Sequence, residues 1–307
     1  MSATAIVIGA SGLVGNALFQ ELYSRYRVIG TSCRQAIPTL VQLDLRDRDQ
    51  VRSLLRQHRP NVVLCPAAES NVELCEVDPV ATREVNVTGL QNLIAATEEV
   101  GALLVYFSSE YVFDGTSGPY CEGDSCNPLN EYGRQKRECE RIISERLDRY
   151  LIARISGVYG WEERRKNFVV RLIESLKSGQ SFKVPSDQVI TPTFAPNLAR
   201  AVRRLVQDHR NGIFHLSGSL PLLRTDFARL IAGVFGLDAS LIIPVPTSEL
   251  KLRATRPHSA GLRTDKAQAL LDFPLAGPRE GLEDMRGSQD ATRHFLPGSL
   301  ISAVVRS

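Results

Sequence analysis

The sequence predicts an α/β chain in which a doubly wound parallel sheet carries a smaller C-terminal lobe. Three observations point there: β-branched runs alternate with helically spaced apolar runs, a glycine triplet separates the first strand from the first helix, and beyond about residue 160 prolines break the rhythm.

Thr4 to Gly9 is a short apolar run closed by glycine, and apolar residues recur at helical spacing from Leu13, so the chain opens strand, turn, helix. Further strands are expected at Arg27 to Thr31, Thr39 to Asp44, Asn61 to Cys65, Leu103 to Ser108 and Tyr150 to Ile155, with helices at Val51 to His58 and Pro79 to Val100. Such alternation implies a parallel sheet with helices on both faces. Residues 1–160 are assigned to this sheet domain, 161–285 to a substrate-binding lobe interleaved with it, and 286–307 to a tail of unknown role. Pro185, Pro192, Pro196, Pro221, Pro244, Pro246 and Pro257 punctuate the lobe. Helices are expected there at Phe168 to Ser178, Leu198 to Asp208, Thr225 to Phe235 and Asp265 to Leu271. The tail's apolar run from Phe295 to Val305 suits a packed end, an oligomer contact or a loose extension.

Apolar residues make up 43% of the chain and charged ones 23%, which is globular usage and excludes a disordered or fibrous protein. The formal charge of +3 is mixed along 307 residues, so nucleic acid is not an expected partner. The runs Arg164-Arg165-Lys166 and Arg203-Arg204 read as solvated surface. Six cysteines, Cys33, Cys65, Cys75, Cys121, Cys126 and Cys139, form no C-x-x-C pair, and the five histidines lack the spacing of a helical zinc site, so no metal is expected. No leader and no apolar stretch of about 18 residues is visible, so neither secretion nor membrane insertion is expected and the cytoplasm fits best.

Gly9, Gly12 and Gly15 form G-x-x-G-x-x-G between the first strand and helix. Glycine allows the tight turn and the close approach of backbone to a dinucleotide's diphosphate, whose charge then meets the positive end of the helix. This makes the sheet domain Rossmann-type. At the end of the second strand, Gly30-Thr31-Ser32-Cys33-Arg34 offers hydroxyls and a guanidinium and no acid, which suits the 2′-phosphate of NADP(H).

Tyr132 and Lys136 lie four apart in a helical segment, on one face, and a cation beside a phenol favours the phenolate. Ser108 and Ser109 follow the apolar run 103–107 at the expected carboxyl end of a strand, where ligands of open α/β sheets bind. A serine hydroxyl placed there can hydrogen-bond a reacting carbonyl oxygen beside the tyrosine.

With these motifs in place the chain resembles the extended short-chain dehydrogenase/reductases, and among them the dTDP-4-dehydrorhamnose reductase family. The resemblance rests on GASGLVG (Gly9 to Gly15), LDLRD (Leu43 to Asp47), PAAESNVELCE (Pro66 to Glu76), VNVTG (Val85 to Gly89), FSSEYVFDG (Phe107 to Gly115), PLNEYGRQK (Pro128 to Lys136), SDQVITPTF (Ser186 to Phe194) and RPHSAGL (Arg256 to Leu262). It implies Ser109, Tyr132 and Lys136 as the catalytic set, Lys136 also holding the nicotinamide ribose. To the glycine turn with Gly9, Ser11, Gly12, Leu13, Val14 and Gly15, and to Arg34, the resemblance adds Asp44, Leu45, Ala67 and Ala68 along NADP(H), and it implies Glu110 and Tyr111 toward a nucleotide-sugar substrate. Hydride would pass from NADPH to C4 of a 4-keto-6-deoxysugar while Tyr132 protonates the oxygen. One departure stands out: where the family has tryptophan, this chain has Gly157, and Trp161 is the candidate to replace that aromatic wall. Tyr111 in place of a second carboxylate disfavours a dehydratase and leaves an epimerase open. The same blocks also resemble the regulatory β subunit of methionine adenosyltransferase, which implies a non-catalytic dinucleotide-binding alternative working through a partner enzyme; a homodimer is also compatible.

Overall fold

The computed structural model describes residues 3–34 and 36–288. Strand β1 (Thr4–Val7) runs into a glycine turn and helix α1 (Leu13–Tyr23), followed by β2 (Arg27–Ser32), the two-residue β3 (Val41–Gln42), α2 (Arg48–His58) and β4 (Val62–Cys65). The predicted strand over Thr39 to Asp44 shrinks to β3, because Asp44 turns back to bind Arg46 and Asp47 caps α2 with its carboxylate.

The expected helix from Pro79 to Val100 is divided. Helix α3 (Val72–Val77), unforeseen in the sequence, and α4 (Pro79–Arg83) lead through a π-helical turn at Glu84–Thr88 into α5 (Gly89–Val100). The turn holds buried Asn86, whose amide bonds both the main-chain nitrogen and oxygen of Glu69 (2.7 and 3.1 Å) and Gln135 Oε1 (2.7 Å). Such turns often mark places where a helix is bent to serve a site. Strand β5 (Leu103–Ser109) is wholly buried, and after it come α6 (Glu131–Arg146) and β6 (Tyr150–Ile155).

The later chain adds β7 (Val158–Tyr159), α7 (Phe168–Lys177), β8 (Phe182–Pro185), β9 (Val189–Ile190), β10 (Thr193–Phe194), α8 (Ala195–Gln207), β11 (Gly212–His215), β12 (Leu222–Leu223), α9 (Arg224–Phe235), β13 (Ile242–Val245), α10 (Asp265–Gln268) and α11 (Pro278–Gly287). Helix α10 ends earlier than Leu271, and α11 was not anticipated. The apolar run from Phe295 to Val305 lies outside the described residues.

The main sheet has the order β11-β6-β5-β4-β1-β2-β3 with every pair parallel. Chain direction reverses its march between β1 and β4, and the crevice at their carboxyl ends is where such folds take ligands. Helices α1 and α8 cover one face, α2, α5 and α6 the other. Strand β11 and helix α8 come from beyond residue 160, so the second half completes the first layer as well as building its own. That second lobe packs α7, α9 and α11 around Tyr159, Phe227 and Leu282. Among the described residues no helix is long and apolar enough to cross a membrane, and no group of three His, Cys, Asp or Glu is placed to hold a metal.

Candidate functional site

The glycine turn is pinned from both sides. Ile8 N donates to Leu64 O on β4, Ala10 N to Thr31 O on β2, and Gly9 N to Thr31 Oγ1. Gly9 takes a positive φ of 83°, and a Cβ on Gly15 would lie 2.2 Å from Gly9 O, so the turn tolerates no side chain there. No side chain caps α1, which leaves its first amides, including those of Leu13, Val14 and Gly15, open for an anion. Ala67 Cβ sits 3.0 Å from where a Cβ on Gly9 would be, so Ala67 packs directly beside the turn. Gly15→Ala is expected to displace the turn and lower both thermal stability and dinucleotide affinity; melting and titration of the variant check it.

At the far end of the crevice a cavity of about 530 Å³ is lined by Cys33, Gln42, Asp44 and Gln50. Asp44 is held below the usual carboxylate range by hydrogen bonds from Arg46, and Leu45 is buried beneath it against Gly89. The hydroxyls expected to face a 2′-phosphate do not: Thr31 and Ser32 are buried, the first bonding Gly9 N and the second donating to Ser11 Oγ at 3.4 Å. Arg34 remains, its side chain 63% exposed and paired with Glu69 at 2.7 Å across the crevice.

The two serines of β5 part company because successive strand residues face opposite ways. Ser108 turns toward Glu140 on the helix side. Ser109 Oγ donates to Glu110 Oε2 at 3.1 Å, accepts from Tyr111 N at 3.2 Å and neighbours the Tyr132 hydroxyl. Asn130 caps α6 by accepting from Gly133 N, and Gly133 lets the helix meet Tyr111 O, where a Cβ would come within 2.1 Å. These contacts fix Tyr132 beside Ser109.

Lys136 departs from expectation in one respect. It is buried beneath Tyr132, and its Nζ donates to Phe107 O at 2.8 Å and lies 5.7 Å from the Tyr132 ring centroid. Burial, then the Glu110 charge, raises the Tyr132 phenol above its ordinary range, and burial pulls Lys136 down. Desolvation outweighs the cation, so the phenol is held protonated rather than poised as phenolate.

Glu110 is buried, and burial pushes its carboxyl up to about 7 against the opposing pull of hydrogen bonds from Ser109 and Ser156 and the charge of Arg224. Tyr111 meets Tyr132 edge to face at 6.0 Å, and Arg256 lies 5.6 Å over the Tyr111 ring. Arg224 and Arg256, which sequence reasoning missed, each leave one buried nitrogen without a partner, while Gln188 and Glu73 hold their other ends. Arg256 belongs to the RP motif and Gln188, the partner of Arg224, to the DQ motif, but Arg224 itself lies in neither. Trp161 does not replace the wall that Gly157 lacks: its Nε1 donates to Met285 O at 2.7 Å and its ring packs on Phe235, inside the second lobe's core. Gly157 instead faces Ile190 and Pro192.

Comparison with known proteins places this geometry. The family described as RmlD substrate binding domain matches residues 3–289. "Methionine adenosyltransferase 2 subunit beta" of Rattus norvegicus is 32% identical over 86% of this chain and 81% of its own length. "Probable low-salt glycan biosynthesis reductase Agl14" of Haloferax volcanii is 31% identical over 87% of this chain and 92% of its own. Among solved structures, dTDP-4-dehydrorhamnose reductase from Bacillus anthracis in complex with NADP superposes with a TM-score of 0.87 at 27% identity, covering 94% of this chain and 100% of that one.

Proposed function

The chain belongs to the RmlD substrate binding domain family, the family of the dTDP-4-dehydrorhamnose reductases, and from that premise we propose that it is an NADPH-dependent reductase of a nucleotide-linked 4-keto-6-deoxysugar. The observation that carries the reading is the meeting of Ser109, Tyr132 and Lys136 at the carboxyl end of β5, in the same crevice as the glycine turn.

The residues present fit the dinucleotide. The uncapped start of α1 and the bare Gly9, Gly12 and Gly15 leave room and donors for its diphosphate, with Ser11 beside them, Asp44 and Leu45 at the adenine end, and Ala67 and Ala68 between. When bound, NADPH supplies the hydride that adds to C4 of the ketone. Tyr132, kept protonated by its surroundings, delivers its proton to the C4 oxygen. Ser109 orients that oxygen, Lys136 holds the ribose side of the crevice beneath the phenol, and Glu110 and Tyr111 face the sugar.

Arg34 is the residue for the 2′-phosphate. Its exposed pair with Glu69 is worth at most about 1 kcal/mol, less than the roughly 1.5–3 kcal/mol of a charge-assisted bond to phosphate, so the guanidinium is free to exchange partners. Arg34→Ala is expected to reduce the preference for NADP over NAD about tenfold; equal affinities in the parent would reject the assignment. The function itself is tested by supplying purified protein with NADPH and dTDP-4-keto-6-deoxyhexose. Steady NADPH loss supports the reading, and none across a panel of nucleotide-sugar ketones overturns it.

The 32% identity to methionine adenosyltransferase β subunits favours one second reading, a dinucleotide-binding regulatory subunit. It requires firm dinucleotide binding without turnover, and co-purification with a methionine adenosyltransferase.

A further inference from the structure

Glu110 sits one residue beyond the reactive serine, 7% exposed, and among the described residues it forms no ion pair. A carboxyl so placed is costly to keep ionised and has no partner that rewards ionisation. Its contacts lead one way: Oε2 accepts from Ser109 Oγ at 3.1 Å, and the Ser109 hydroxyl in turn neighbours the Tyr132 phenol, whose rise it opposes. The groups around it are Ser156 after β6, Arg224 at the start of α9, Tyr132 on α6 and the neighbouring Tyr111, with Arg256 beyond Tyr111. None of these can donate a proton readily near neutrality. Lys136, the other ionisable group beneath the phenol, is turned to Phe107 O.

We propose that Glu110 is the internal proton source that restores Tyr132, through the Ser109 hydroxyl, after each reduction. This rests on the reductase reading and deepens it. Once the phenol has given its proton to the alkoxide oxygen, the phenolate takes the Ser109 proton while Ser109 takes the Glu110 proton. One O–H bond breaks and one forms at each transfer, and the negative charge ends on the carboxylate, which recovers a proton from water. In the oxidative direction the transfers reverse, so reduction needs Glu110 neutral and oxidation needs it ionised. A carboxyl that titrates at about 7 is suited to both.

The test is the pH profile of kcat in both directions for parent and Glu110→Gln. In the parent, reduction falls tenfold per pH unit above a break near 7, and oxidation falls likewise below it. Glu110→Gln keeps its fold and dinucleotide affinity, loses at least tenfold in kcat and shows neither break; Glu110→Asp restores part of the rate and a shifted break. Breaks unchanged in Glu110→Gln, or turnover equal to the parent throughout, would overturn the proposal. A second readout needs no substrate: difference infrared spectroscopy of the dinucleotide-bound protein should show a protonated carboxyl band that titrates near 7, vanishes in Glu110→Gln and moves in Tyr132→Phe. If the parent reduces nothing, the reductase reading fails while that band still supports the proton connection; no such band, or one indifferent to Tyr132→Phe, sinks the connection itself.

Discussion

Tyr132→Phe is expected to lower kcat by about two to four orders of magnitude, the usual contribution of a positioned proton donor, with dinucleotide affinity unchanged. Phenylalanine keeps the edge-to-face contact with Tyr111 and the packing over Lys136, so the crevice holds its shape. Only the hydroxyl is lost. Ser109 retains its bonds to Glu110 and Tyr111 N, which keeps the substitution local. Steady-state kinetics with a dinucleotide titration separates the two effects; turnover equal to the parent would show that another group supplies the proton.

The second large effect concerns stability. Arg154 on β6 is buried and clasps equally buried Glu140 on α6 through two bonds of 2.9 and 2.8 Å, with Cys126, Glu122 O and His215 around it. Glu140→Gln strands that guanidinium without a counter-charge, and loss is expected at about 3–5 kcal/mol. Arg137→Gln is the control: its outer pair with Glu140, at 3.2 Å, is 45% exposed on the arginine side and worth about 1 kcal/mol or less. Urea melts of both variants decide the matter, and equal losses would mean the inner pair does not hold these elements. Burial opposes ionisation of Glu140, yet Arg154 outweighs it and keeps the carboxyl below its ordinary range. Its contribution is therefore complete above that ordinary range and fades as pH falls through the depressed value. His215, pushed by burial from 6.5 to about 4, adds its own loss between those two values.

Most of the first layer was legible because its strands are short apolar runs and its helices keep a helical period: β6 was foreseen to the residue, α2 and α7 nearly so. What periodicity missed depends on distant partners. The π turn around Asn86 exists because the side chain reaches Glu69 and Gln135, neither nearby in sequence. Strand β11 is four residues with no alternation of its own, recognisable only once β6 offers an open edge. For the candidate site, motif spacing paired Tyr132 with Lys136 and the family resemblance chose Ser109 over Ser108, but the protonation of the phenol follows from how deeply it is covered, and no spacing encodes that. Trp161 likewise looked available from its position, and only the packed second lobe shows that Met285 and Phe235 have claimed it.

The borrowed strand β11 also dictates an order of assembly during synthesis. When Ile155 leaves the ribosome, β6 has its inner neighbour β5 but an unsatisfied outer side, and the strand that closes it emerges only with Gly212. Through that interval the nascent chain presents a sticky ribbon of unpaired amides and carbonyls, the kind of template that invites other chains to add themselves. A fragment stopped at residue 160 would keep that ribbon permanently, so attempts to isolate the front half alone should yield aggregate rather than a working dinucleotide module.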